Sequence, residues 1–146
     1  MAIGVISFDI DGVLVDASKR LNLCLNGDDV DWSCFLDCRK LVLDLPKQRN
    51  IELVSTISRR GYDVVVITGR PEHMRKCTEL QLRSYGVVYK ALYMRLEGDT
   101  RRDHLYKVDA IIALRRRGIE VLAHFDDNED TVKALKAAGI DAILIY

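Results

Sequence analysis

No run of this 146-residue chain approaches the roughly 20 apolar residues needed to cross a bilayer. The apolar stretch near the N-terminus, Ile3 to Phe8, is short and lacks an opening positive charge, so it does not read as a secretory signal. These absences predict a cytoplasmic protein with no membrane partner. An excess of charge is missing too: 22 Lys and Arg meet 22 Asp and Glu. No global field therefore points to nucleic acid, although local basic clusters can still steer an anionic ligand. The four cysteines, Cys24, Cys34, Cys38 and Cys77, form no Cys-x-x-Cys pair and have no histidine placed as in a zinc site. Cys34 and Cys38 are spaced to share a helical face, and all four are expected to be reduced packing thiols. Internal repeats are absent. What remains is a 49% apolar composition, enough for one domain over residues 1–146 whose core needs no disulfides.

The most informative residues follow the first apolar run. Ile3 to Phe8 reads as a buried strand, and it ends in Asp9-Ile-Asp11-Gly12. In an open α/β sheet ligands bind at the carboxyl ends of strands. Two carboxylates one residue apart at such an end suit a Mg²⁺ ion and phosphoryl chemistry, with Gly12 letting the chain turn away. A capped turn is the plainer alternative for this tetrapeptide alone.

Downstream, the chain alternates. Residues 17–45 form a polar insert with a loop at Asn26-Gly-Asp-Asp29 and a helix near 31–40. A helix from about Pro46 ends at Arg59-Arg-Gly61, and Asp63 to Ile67 is a strand running into Thr68-Gly69-Arg70-Pro71. Pro71 is expected to open a helix reaching about Tyr85. Val87 to Met94 reads as strand three, Arg102 to Arg117 as a helix with one broad apolar face, and Glu120 to Phe125 as strand four, ending at Asp126-Asp127. A helix over 128–138 and a strand over 142–146 complete the chain. Such alternation predicts an α/β fold, a central parallel sheet of about five strands flanked by helices on both faces.

Asp9 and Asp11, then Thr68 with Arg70, then Lys107, then Asp126 with Asp127 occur in that order at or beyond strand ends. This ordered set resembles the haloacid dehalogenase superfamily of phosphohydrolases. The resemblance covers nearly the whole chain and implies a Rossmann-like fold with a small cap or none, the insert standing in its place. It also implies Mg²⁺ as cofactor. Asp9 is then the nucleophile that forms an aspartyl-phosphate, and Asp11 the general acid and base, a role that needs its pKa raised. Thr68 and Lys107 would donate to phosphoryl oxygens. Asp9, Asp11 through its backbone carbonyl, Asp126 and Asp127 would serve the metal.

A finer match lies in Gly98-Asp-Thr-Arg-Arg-Asp103, with Lys107 four residues on. It resembles the polynucleotide 3′-phosphatase domain of phage-type polynucleotide kinase/phosphatases. Functional arginines of that family fall on Arg20, Arg70 and Arg95, and a functional acid on Asp103. Together with Gly69 these imply a substrate-binding set: a guanidinium forks two hydrogen bonds onto a phosphate. For the arginines the alternative is surface ion pairing; Asp103 is read as an organiser of Lys107 or Arg70. Trp32 is read as packing the insert, with base stacking as its alternative. The kinase P-loop, Gly-x-x-x-x-Gly-Lys-Ser/Thr, is absent, so no kinase activity is expected, and a separate kinase or ligase partner is left open.

The expected substrate is thus a phosphate ester, foremost a nucleic-acid 3′ end. A phosphatase of small molecules or nucleotides is the alternative within enzymes, and a non-catalytic phosphate-binding module the alternative outside them. A receiver-type signalling domain is disfavoured because strand three ends at Tyr93-Met-Arg95, without the acid such a domain phosphorylates.

Overall fold

The computed structural model describes residues 2–146. Strands β1 (Val5–Phe8), β2 (Asp63–Pro71), β3 (Ala91–Arg95), β4 (Val121–Asp126) and β5 (Ala142–Leu144) form one parallel sheet in the spatial order β3-β2-β1-β4-β5. Side chains alternate across it, so each face builds its own core. Phe8, Val64 and Val66 pack on one face with Ile51 and Val54 of α3 (Gln48–Arg59) and Leu82 of α4 (Arg75–Ser84). Val65 and Ile67 pack on the other with Ile111 and Leu114 of α5 (Asp103–Arg116) and Leu135 of α6 (Glu129–Ala137). The five-stranded parallel sheet with helices on both faces is the expected one.

The chain moves outward from β1 through β2 to β3, then returns to the far side of β1 for β4 and β5. Strand order therefore reverses between β1 and β4, which opens a crevice at their carboxyl ends. Phe8 and Phe125 are opposite in register and stack with ring centroids 4.5 Å apart. Asp9 N–H donates to the Phe125 carbonyl at 3.0 Å, fixing Asp9 beside Asp126.

The insert departs most from expectation. Its neck is closed by the antiparallel pair Val15–Asp16 and Leu45–Pro46, and a small hairpin pairs Leu25–Asn26 with Asp29–Val30. The helix expected near 31–40 is broken into the single turn Trp32–Phe35 and the 3-10 helix Cys38–Leu43. Asp31 and Asp37 are the reason: each carboxylate accepts a backbone N–H two or three residues on and starts a separate turn. A further helix, Ser18–Leu23, carries Arg20.

Three other boundaries move. β2 continues through Pro71, a 3-10 turn covers Glu72–Met74, and α4 begins only at Arg75. Val87 lies just past α4, its N–H donating to the Leu82 carbonyl to close the helix end, and β3 starts only at Ala91. The cysteines are not reduced thiols. Cys24 pairs with Cys34 and Cys38 with Cys77, at Cα separations of 5.5 and 5.8 Å. Sequence spacing carries no trace of this, because folding of the insert on itself joins Cys24 to Cys34 and its packing on α4 joins Cys38 to Cys77. No helix among the described residues is long and apolar enough to cross a membrane.

Candidate active site

Period two along the central strands puts Ser7 and Asp9 on the same side as His124 and Asp126. Lys107, one turn beyond Asp103 on α5, rises to meet them. Its buried ammonium lies 3.2 Å from Asp9, 2.8 Å from Asp103 and 2.7 Å from Asp126. Burial alone would discharge it, but these three carboxylates hold its pKa well above the ordinary lysine value. Asp126 has its pKa depressed despite its own burial, by the His124 hydrogen bond and by Lys107. For Asp9, burial together with Asp126, Asp103 and Asp11 outweighs Lys107 and pushes the carboxyl well up.

Oxygens of Asp9, Asp126 and Asp127 lie within 4.8 Å of one another. Asp127 is raised to about 6 by burial and by Asp126. Gly12, at φ +86°, makes room for it, since a Cβ there would collide with the Asp127 carboxylate. The Asp11 side chain stands outside this group.

Asp11 is instead clamped by arginines. Arg20 Nη2 donates to its Oδ1 at 2.6 Å, while Arg70 forks onto both oxygens at 2.8 and 3.1 Å. Although burial opposes ionisation, Arg70 and Arg20 bring the Asp11 carboxyl down to about 2. The elevated pKa expected for an acid is therefore reversed in this arrangement. Arg20 and Arg70, expected at the substrate, are buried and turned onto protein groups. Arg20 also forks onto Asp44 and donates to Phe35 carbonyl, and Arg70 donates to Thr78. Asp44 in turn accepts from Gln81.

Thr68 Oγ1 accepts the Arg70 backbone N–H at 3.1 Å, which leaves its own proton free to donate. Arg95 stacks over the Tyr106 ring, donates to Gly69 carbonyl and Arg101 carbonyl, and pairs with Asp103 at 3.0 Å. Asp103 thus organises Lys107, as expected, and Arg95 rather than Arg70. Gly69 is required by this arrangement: a Cβ there would strike the Asp103 carboxylate. A cleft of about 700 Å³ opens above, lined at its base by Asp9, Asp11, Thr68, Gly69, Arg70 and Asp127 and at its rim by Trp32, Leu96 and Arg102.

Sequence reasoning passed over Ser7 and His124. Ser7 Oγ is 2.7 Å from His124 Nδ1, and His124 Nε2 is 2.9 Å from Asp126. Burial lowers the His124 pKa, so the neutral ring donates from Nε2 to Asp126 and accepts the Ser7 hydroxyl. A histidine two residues before an acid on one strand was the available signal. Arg102, part of the Gly98–Asp103 motif but given no role from sequence, lines the cleft with an exposed side chain.

Comparison with known proteins agrees with this geometry. A family model described as the polynucleotide kinase PNKP phosphatase domain matches residues 4–145. No curated protein matches the sequence. Among solved structures, a chain of the Pnkp1/Rnl/Hen1 RNA repair complex superposes with a TM-score of 0.75 at 23% identity, covering 97% of this chain and 42% of that one. A haloacid dehalogenase-like hydrolase from Streptococcus pneumoniae gives 0.72 at 16% identity, covering 99% and 85%. The class C acid phosphatase from Bacillus anthracis gives 0.67 at 12%, covering 99% and 67%. This chain therefore spans less than half the length of the repair-complex relative.

Proposed function

The chain belongs to the polynucleotide kinase PNKP phosphatase domain family, with the haloacid dehalogenase fold, and from that premise we propose that it removes phosphate from polynucleotide 3′ ends in a Mg²⁺-dependent reaction through an aspartyl-phosphate. The observation that carries the reading is Lys107, whose ammonium joins Asp9 to Asp126 across adjacent strand ends beneath an open cleft. A nucleophilic carboxylate needs such a counter-charge, and so does the phosphoryl group it attacks.

The donor set suits a hard divalent cation. Three carboxylates converge here, and burial together with the neighbouring acids pushes Asp9 toward its neutral form despite Lys107. Asp9, Asp126 and Asp127, with the Asp11 backbone carbonyl, would hold Mg²⁺. When bound, the ion keeps Asp9 ionised and draws charge from a phosphoryl oxygen.

Asp9 then forms a bond from its carboxylate oxygen to phosphorus as the bond to the leaving 3′ oxygen breaks, and that oxygen takes a proton from Asp11. Water next gives its proton to Asp11 and attacks phosphorus, releasing the Asp9 carboxylate and inorganic phosphate. The clamp by Arg20 and Arg70 keeps Asp11 ionised but weakly basic, so Asp11 must leave the clamp in both steps, to carry a proton to the leaving oxygen and to take one from water. Thr68 donates its hydroxyl to a phosphoryl oxygen, and Arg95 and Asp103 hold Lys107 in line. The likeness to Pnkp1, which is seen in a complex with Rnl and Hen1, supports a separate partner enzyme.

The test is phosphate release, with and without Mg²⁺, from matched 3′- and 5′-phosphorylated oligonucleotides, a 3′-mononucleotide and an aryl phosphate, with Asp9→Asn as control. Strong 3′-end preference is expected. Turnover of the aryl phosphate or mononucleotide alone would move the function to small molecules while keeping the nucleophile.

A further inference from the structure

Trp32 is the chain's single tryptophan, and 61% of it is exposed at the rim of the cleft. The expectation that it packs the insert does not hold: its ring meets Phe35 edge-on at 5.9 Å, and most of its surface faces outward. An exposed ring of this size at a cleft mouth has no core to justify it. The turn that carries it is pinned. Asp31 caps the turn that carries it, Cys34 of that turn is tied to Cys24, and Arg20 stacks at 4.2 Å over Phe35. His73 joins the end of the turn to the facing loop, its ring meeting Leu36 carbonyl at 3.1 Å and Glu97 at 2.8 Å. The rim thus sets the apolar side chains Trp32, Phe35, Leu36 and Leu96 beside the charged Glu97, Arg101 and Arg102.

We propose that Trp32 is a stacking platform for the nucleobase of the terminal nucleotide, so that the rim reads the base while the cleft floor takes the 3′-phosphate. This rests on the 3′-phosphatase reading above. Base and phosphate hang from one sugar, so a flat aromatic face bordering a phosphate site falls within reach of that base. Stacking tolerates any base, because every base presents a π face. A platform on a pinned turn costs little backbone freedom on binding, and it lies away from the reacting phosphorus, so the contact lowers KM more than it raises kcat.

The experiment compares a 3′-phosphorylated oligonucleotide with its twin bearing an abasic tetrahydrofuran as the terminal residue. The wild-type chain is expected to favour the base-bearing end by about tenfold in kcat/KM, through KM. Trp32→Ala should erase that preference and Trp32→Phe should keep most of it. In Asp9→Asn, which binds without turning over, the fluorescence of Trp32 should be quenched by the base-bearing oligonucleotide with Mg²⁺ and not by the abasic one. If wild type and Trp32→Ala show the same ratio for the two ends and no quenching occurs, stacking is refuted while the 3′-phosphatase reading stands. If neither 3′ end is hydrolysed by the wild type, the phosphatase reading itself falls and this inference with it.

Discussion

Asp9 and Asp11 are one residue apart, yet they belong to two different regions. Asp9 faces the α5 side of the sheet edge, among carboxylates and one lysine, and its pKa is driven well up by burial and by those neighbours. Asp11 faces the insert, between two guanidinium groups that hold it at about 2. One strand end thus delivers one carboxyl to a centre short of positive charge and another to a centre where that charge is supplied by the protein. The first centre is short of positive charge, which suits the cation and the chemistry proposed for it. The second is satisfied internally and holds the insert to the sheet.

Substitution on the Asp9 side tests this division most strongly. Asp9→Asn should abolish turnover, by about ten-thousandfold or more, yet leave the metal-free protein as stable as wild type or more so, since it removes an acid whose ionisation burial and its neighbours disfavour. Thermal unfolding in the presence of a chelator reads this directly, and a clear drop in Tm would erase the contrast between the regions. On the Asp11 side the order reverses. Arg20→Met leaves Asp44 buried without its guanidinium, and should cost ~3–5 kcal/mol of stability, measured by denaturant unfolding. A loss below ~1 kcal/mol would show that the clamp does not hold the insert.

The same division marks how far the sequence could be read. The sheet edge announced itself because strand ends, glycines and charged residues are local signals: Asp9, Thr68, Lys107 and Asp126 each follow a recognisable apolar run or lie at a fixed helical offset. Their convergence then follows from parallel topology. The insert gave no such signal. Arg20 lies in a polar stretch, and only the tertiary structure shows it buried against Asp44, Asp11 and Phe35 carbonyl. Two aspartates broke the expected helix by capping, and four cysteines with uninformative spacing found partners. Trp32 looked like packing because exposure is a property of the fold, not of its neighbours in sequence.

The disulfides sharpen the comparison at smaller scale. Cys38–Cys77 closes a 39-residue separation and ties the insert to α4. Its removal by Cys38→Ser with Cys77→Ser should lower stability by ~2–4 kcal/mol. Because the tie lies on the Asp11 side, and the proposed binding mode puts small phosphates on the cleft floor alone, their hydrolysis should fall less than that of 3′-phosphorylated oligonucleotides. Parallel losses on both substrates would show that the insert and the sheet edge act as one unit.

The finest probe is acid. Asp11 is ionised in the folded chain with its pKa lowered to about 2, against roughly 3.9 in an unfolded chain. A lowered folded-state pKa means that the unfolded state binds the proton first as pH falls. The stability Asp11 contributes is therefore complete above about pH 4 and is lost progressively toward pH 2. Other acids, Asp126 among them, share this direction, so the wild-type profile alone does not isolate the clamp. Asp11→Asn does. It should lower stability at pH 7 and flatten the limb between pH 4 and 2, so that the two Tm curves converge at the acid end. Asp9→Asn should not flatten that limb, because Asp9 is shifted the opposite way and supplies no stability that acid can remove there. Curves for wild type and Asp11→Asn that stay parallel down to pH 2 would mean that the guanidinium pair does not hold Asp11 ionised, and the contrast between the two carboxylates would lose its electrostatic basis.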